Sequence, residues 1–219
     1  MNVKNGDKKM KPSDIETLSF KIIDKEAGEH NFSKKEWPIV RRMIHTSADF
    51  DYMQTVRFHH QAIEAGINAM QHGKTIITDT TMAMSGISKK RMGGFNVKIK
   101  CLISDAEVEK MAAEKKTTRA HAAVDAAVSD MDGGIYVIGN APTALLRLIE
   151  LVKTGKAAPA LIIGLPVGFV NAAESKAVLI ETDCPYITNV GRKGGSNIAA
   201  SVVNALANIV KGEHETSLC

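Results

Sequence analysis

The sequence predicts an α/β protein, a three-layer α/β/α arrangement around a mostly parallel sheet, and three features carry that prediction. Between Val137 and Lys176 an apolar run twice ends in Gly or Gly-Asn, turns through Pro and leads into a helical pattern. That is the order in which a parallel strand feeds a loop and then a crossover helix. From Ile135 onward strand and helix patterns alternate regularly, and right-handed crossovers then stack the strands in parallel. The 219 residues suffice to bury one full core. A single domain over 13–212 is therefore expected, with a flexible polar arm at 1–12 and a tail at 213–219.

The elements follow in order. Ser13 and Glu16 have capping-box spacing, and Ile15, Leu18, Ile22 and Ile23 recur at helical intervals, so a first helix begins near Ser13. A second runs from Ser33 to His45, with Glu36 three residues after Ser33. A third is expected from Asp51 to His72, closed by Gly73 as its C′ residue. Thr75–Asp79 reads as a short buried strand, and Val97–Ile103, alternating apolar residues with lysine, as a half-exposed one. Ser104 and Glu107 repeat the capping-box spacing, and Arg119–Met131 is an alanine-rich helix. Then come strand Ile135–Ile138, helix Pro142–Lys153, strand Ala160–Ile163, helix Ala172–Ile180, strand Tyr186–Val190 and helix Ser196–Lys211.

Composition excludes several functions. A net charge of +4 suits a polyanionic small molecule but falls short of a nucleic-acid footprint. One Trp and three Tyr are too few for a base-stacking platform. Cys101, Cys184 and Cys219 are an odd, widely spaced set, expected to be reduced thiols rather than disulfides or zinc ligands. The charged N-terminus has no apolar core of a signal peptide, and the run Pro159–Val170 is too short and broken to span a bilayer. A soluble cytoplasmic protein is expected, without nucleic acid or membrane as partner.

Among candidate sites, Gly191–Ser196 (GRKGGS) combines three glycines with Arg192 and Lys193 ahead of a helix. Free backbone N–H groups there could hold a carboxylate or phosphate; a solvated surface turn fits equally well. It matches neither nucleotide-loop fingerprint. His45 closes the stretch Arg41–His45, where the helix macrodipole favours imidazolium and so a proton donor near neutral pH. Arg42, three residues earlier, shares its face and could clamp an anionic group. From position alone an ordinary C-terminal histidine is the simpler reading. His59 and His60, adjacent on the expected helix, diverge too far to chelate one metal, and no metal motif stands out. Asp79, Thr80 and Thr81 end a strand, where they bind a ligand or cap the next segment. Asn140 reads as a helix N-cap.

Longer motifs run through these segments: SFKII (Ser19–Ile23), RRMIHTSADFD (Arg41–Asp51), TDTTMAMSGI (Thr78–Ile87), Thr118-Arg119, IGNAPTAL (Ile138–Leu145), GLPVGFVNAAESK (Gly164–Lys176) and GRKGGSNIAA (Gly191–Ala200). From Ile15 to about Leu206 the chain resembles the precorrin-8 methylmutases of cobalamin biosynthesis, and the forms around His45 and Asp79 look more like the cobalt-dependent branch. The resemblance implies an isomerase that moves a methyl group from C-11 to C-12 of a corrin precursor by a 1,5-sigmatropic shift. Cobalt-precorrin-8 would become cobyrinate, or precorrin-8X hydrogenobyrinate.

By that resemblance His45 is the general acid, and Ser19 and Arg42 bind substrate carboxylates. Ser88, Arg119 and Lys176 align with positions lining the same pocket, Asp79, Thr80 and Thr81 form direct contacts or support, and the Gly164–Ala172 loop walls the macrocycle. The ligand is a corrinoid tetrapyrrole polycarboxylate, the assembly a homodimer with substrate near its interface. No cofactor is implied, cobalt, if present, belonging to the substrate. Asn171 departs from the Gly that relatives often carry. The rival readings are a non-catalytic corrinoid or tetrapyrrole carrier, a phosphate-dependent enzyme using Gly191–Ser196, and an RNA-binding protein.

Overall fold

The computed structural model describes residues 11–212; the expected arm, apart from its last two residues, and the expected tail lie outside them. In chain order the elements are α1 (Pro12–Ala27), α2 (Trp37–Ser47), α3 (Tyr52–Thr55), β1 (Val56–Phe58), α4 (Ala62–Gln71), β2 (Ile76–Thr78), α5 (Thr81–Gly86), α6 (Lys89–Met92) and β3 (Ile99–Lys100). Then follow α7 (Ala106–Glu114), α8 (Arg119–Ala126), β4 (Ile135–Ile138), α9 (Pro142–Lys153), β5 (Leu161–Gly164), α10 (Ala172–Ile180), β6 (Tyr186–Asn189) and α11 (Ser196–Val210). The sheet order is β1-β6-β5-β4-β2-β3. All pairings are parallel except β1 with β6. The mostly parallel α/β fold is as the sequence predicts.

Strand alternation divides the core. Ile76, Ile135, Val137, Leu161, Ile163 and Ile187 face one helical layer, built from α1, α2, α4, α5, α6 and α11. Ile77, Tyr136, Ile138, Ile162 and Tyr186 face the other, built from α7 to α10. Helix α11 is the keel of the first layer. Nearly all of its residues are buried, and it packs against α2, α4 and α5.

Several expectations need correction. The long helix expected from Asp51 to His72 is broken into α3, β1 and α4. Val56 and Phe58 supply a β-type alternation, and β1 completes its pairing with β6 through the Val190 N–H to Thr55 carbonyl bond (2.8 Å) and that from His59 N–H to Tyr186 carbonyl (2.9 Å). His59 and His60 consequently lie in a turn with ring centroids 4.2 Å apart, not on a helix. The first helix is capped at Lys11 with Pro in its first turn, and the seventh at Asp105, neither by a side-chain bond. Of the Val97–Ile103 strand only two residues pair. Helix α9 starts after Ala141 rather than at an Asn140 cap. The Ser33/Glu36 spacing does make a reciprocal box: the Ser33 N–H donates to the Glu36 carboxylate (2.8 Å) and the Glu36 N–H to the Ser33 hydroxyl (3.2 Å).

Candidate functional site

Helix α2 presents the charged face. Arg41 and Arg42 are both buried, their guanidinium carbons 4.5 and 4.7 Å from the centre of the Phe20 ring on α1. Arg41 donates to Asp24 (2.9 Å), which also accepts from the Trp37 indole N–H (2.9 Å). Arg42 pairs with Glu16 of α1, and the same Glu16 oxygen accepts from Arg91 of α6 (3.4 Å). One turn on, the His45 ring sits 5.0 Å from Phe20. The helix ends at Ala48 in the left-handed region (φ 54°), its N–H closing on the Ile44 carbonyl.

His45 shares an open cavity of about 350 Å³ with Ser19, Ile22, Ile23, Glu26, Ile44, Ala48 and Phe50, at the small end of ligand pockets. The Ser19 hydroxyl donates to the Ile15 carbonyl (2.9 Å), which leaves its lone pairs free to accept. Burial lowers the His45 pKa from its ordinary 6.5, Arg42 lowers it further, and Glu16 opposes both. The direction is the reverse of the one expected from the helix end alone. The Thr46 and Ser47 hydroxyls donate to the Arg42 and Met43 carbonyls one turn back. Burial pushes the Glu16 carboxyl up, but Arg42, Arg91 and His45 outweigh it and hold it below the usual range.

The residues at the carboxyl edge of the sheet form a second, structural group. Strand order reverses between β2 and β4, the crevice in which open α/β sheets ordinarily bind ligands. Here protein fills it. The buried Asp79 carboxylate accepts from the backbone N–H groups of Gly139 (3.0 Å), Asn140 (2.8 Å) and Ala141 (2.9 Å). Thr80 caps α5 through the Ala83 N–H (3.0 Å) and bonds Ser196 (2.8 Å), while Thr81 is exposed in the first turn of α5. A Cβ on Gly139 would come within 2.5 Å of Ser196 Cα, so glycine admits the start of α11.

The Gly191–Ser196 loop is likewise engaged. Lys193 pairs with Asp49 and with Asp51 (2.6 Å), Arg192 lies 5.5 Å over Phe169, and the Gly195 N–H donates to the Leu165 carbonyl (2.9 Å). Lys176, fully buried, reaches beneath it to the Lys193 carbonyl (2.6 Å) and Asn189 (3.1 Å); burial brings its pKa down to about 8. Asn171 takes the left-handed conformation (φ 59°), open to Asn more readily than to most residues, so the fold tolerates it there.

The structure thus brings Ser19, Arg42 and His45 together around Phe20. Ser88 lies nearby in the same layer, capping α6 beside Arg91 and donating its N–H to Asn204 (2.8 Å). Arg119 stands in the other layer, exposed and paired with Glu109 (2.9 Å), outside the His45 cavity. The Gly164–Ala172 loop also does not line that cavity, although its Phe169 is 84% exposed. Among the described residues no cluster of three or more His, Cys, Asp or Glu could hold a metal, and no helix is long and apolar enough to cross a membrane. Sequence reasoning missed Glu16, Phe20 and Arg91 as site residues. The helical period offered a signal, since Glu16, Ser19, Phe20 and Ile23 fall on one face of α1.

The comparisons with known proteins agree with one another. The family model for precorrin-8X methylmutase matches residues 14–209. A cobalt-precorrin-8 methylmutase of Priestia megaterium is 48% identical over 90% of this chain and 88% of its own. One of Leptospira interrogans is 46% identical over 88% and 91%. The crystal structure of a precorrin-8x methyl mutase from Thermus thermophilus superposes with a TM-score of 0.87 at 44% identity, covering 94% of this chain and all of that one.

Proposed function

The chain belongs to the precorrin-8X methylmutase family, and from that premise we propose that it converts cobalt-precorrin-8 to cobyrinate by a 1,5-sigmatropic methyl shift from C-11 to C-12. It is an isomerase of cobalamin biosynthesis. The observation that carries the mechanistic reading is His45 in an apolar-walled cavity with Ser19, one aromatic ring away from the Arg42 guanidinium.

A pericyclic shift asks the protein for shape and for a rise in the electron demand of the conjugated ring. Protonating a ring nitrogen supplies the second, and a proton delivered as charge develops lowers the barrier more than it stabilises the bound substrate. Burial and Arg42 disfavour imidazolium. A polycarboxylate substrate brings negative charge beside His45, which raises its pKa and loads the proton when there is something to protonate. Arg42 and Ser19 hold peripheral carboxylates. No cofactor enters this scheme, and cobalt belongs to the substrate.

The cavity is open and small for a corrin, and Ile22 on its rim stands with Ile15 and Leu18 in an exposed apolar row along α1. A second copy of the chain covers that rim in a homodimer, completing the wall of the site. The test is to incubate the protein with cobalt-precorrin-8 and follow the visible spectrum as conjugation changes. Conversion supports the reading; tight binding of product with no conversion favours a corrinoid carrier.

A further inference from the structure

The bridge centred on Glu16 lies outside every role assigned so far. One carboxylate joins three elements: α1, α2 through Arg42, and α6 through Arg91. Arg91 is itself fixed to the keel helix, its Nε donating to Asn208 of α11 (3.1 Å). Arg42 is nearly sealed from solvent, its side chain 9% exposed, whereas Glu16 retains 35%. A buried guanidinium needs a counter-charge whether or not ligand is present, and Glu16 supplies it from the side that solvent reaches.

We propose that Glu16 is a positioning residue for the methyl shift: it fixes the Arg42 guanidinium beside Phe20 and His45 before substrate binds, and an incoming substrate carboxylate competes with it for Arg42. The inference rests on the reading of His45 and Arg42 above. It has two consequences of opposite sign. The negative charge of Glu16 partly cancels the effect of Arg42 on His45 and keeps the acid easier to protonate. The same charge repels a polycarboxylate and weakens its binding. Other charged groups stand near His45 among the described residues. Glu26 of α1 lines the cavity, Arg91 of α6 acts through Glu16, Asp24 is held by Arg41, and Asp49 and Asp51 are held by Lys193. Helix α11 has no ionisable side chain.

The test is Glu16→Gln, which keeps the length and an oxygen acceptor but removes the charge. In the ligand-free protein, NMR titration of the His45 imidazole should give a lower midpoint than wild type. Spectroscopic titration with cobyrinate should show binding about 3–10-fold tighter, the effect of one unfavourable charge contact relieved. With cobalt-precorrin-8, kcat and KM should fall together, and Glu16→Asp should return the His45 midpoint toward wild type. A plain structural salt bridge predicts an unmoved midpoint and weaker binding, and either result overturns the proposal. Should Glu16→Gln not fold, Arg91→Met tests the same bridge: it leaves Glu16 to Arg42 alone and should weaken product binding about threefold, while unchanged or tighter binding overturns the idea. If wild type fails to convert cobalt-precorrin-8, the reaction assignment falls, and the His45 titration still reports on Glu16.

Discussion

Asp79 offers a sharp test of whether the carboxyl edge of the sheet is scaffold or binding site. Its two oxygens accept three backbone N–H bonds of 2.8–3.0 Å from Gly139, Asn140 and Ala141. Asp79→Asn preserves the shape, and its amide oxygen can keep the two bonds at one position. Its NH₂ then faces the remaining N–H, a buried donor against a donor. Leaving one buried donor unsatisfied costs about 1–3 kcal/mol, and exchanging charged for neutral acceptors costs about 1 kcal/mol more. Burial pushes the Asp79 carboxyl up despite its donors, so relief of a buried charge offsets part of this. A net loss of about 2 kcal/mol is expected, which lowers the melting temperature by roughly 4–8 °C in a chain of this size. The assay is thermal unfolding by circular dichroism, paired with cobyrinate affinity measured well below the transition. The scaffold account requires the melting shift with affinity within about twofold of wild type. A melting temperature within 2 °C of wild type together with a tenfold loss of affinity would refute it and return Asp79 to the substrate.

The remaining predictions follow from other parts of the molecule. Arg42→Lys loses the guanidinium contact with Phe20 and the Nη1 bond to Glu16, and cobyrinate affinity measured by spectral titration should fall about 10–30-fold. Gly139→Ala puts a methyl 2.5 Å from Ser196 Cα, and chemical denaturation should show a loss of about 3 kcal/mol or more. Lys176 has a folded pKa of about 8 against an ordinary 10.5. The unfolded chain therefore holds more protons between those values, and this residue makes stability rise with pH across the window. Lys176→Met should flatten that rise in urea unfolding at pH 8 and 10.5, and an unchanged slope would contradict the burial argument. His45, lowered from 6.5, works in the same direction at lower pH: its contribution is full above 6.5 and is lost as pH falls below it. His45→Gln should be less sensitive to mild acid than wild type.

Periodicity and loop grammar made the second half of the fold legible because each strand there is a buried apolar run followed by its own helix. The stretch from Asp51 to His72 was not legible in the same way. Its helical spacing is real for Ala62–Gln71, and only pairing with β6, over a hundred residues away, turns Val56–Phe58 into a strand. The site behaved similarly. His45, Arg42 and Ser19 were readable from motif and spacing on two helices. The partnership of Glu16 with Arg91 joins residues 75 positions apart, which no local pattern encodes. Thr80 and Asp79 are legible as residues at a strand end, but whether they face ligand or backbone depends on α11 arriving at Gly139.

In the proposed mechanism His45 delivers the proton that drives the methyl shift. The most direct measurement is single-turnover conversion of cobalt-precorrin-8 by His45→Ala beside wild type, followed in the visible spectrum, with cobyrinate binding measured on both. Wild type should convert the substrate, and the variant should still bind cobyrinate yet turn over about 10²–10⁴-fold more slowly, the usual contribution of a general acid. A His45→Ala protein that converts substrate at the wild-type rate would contradict the account.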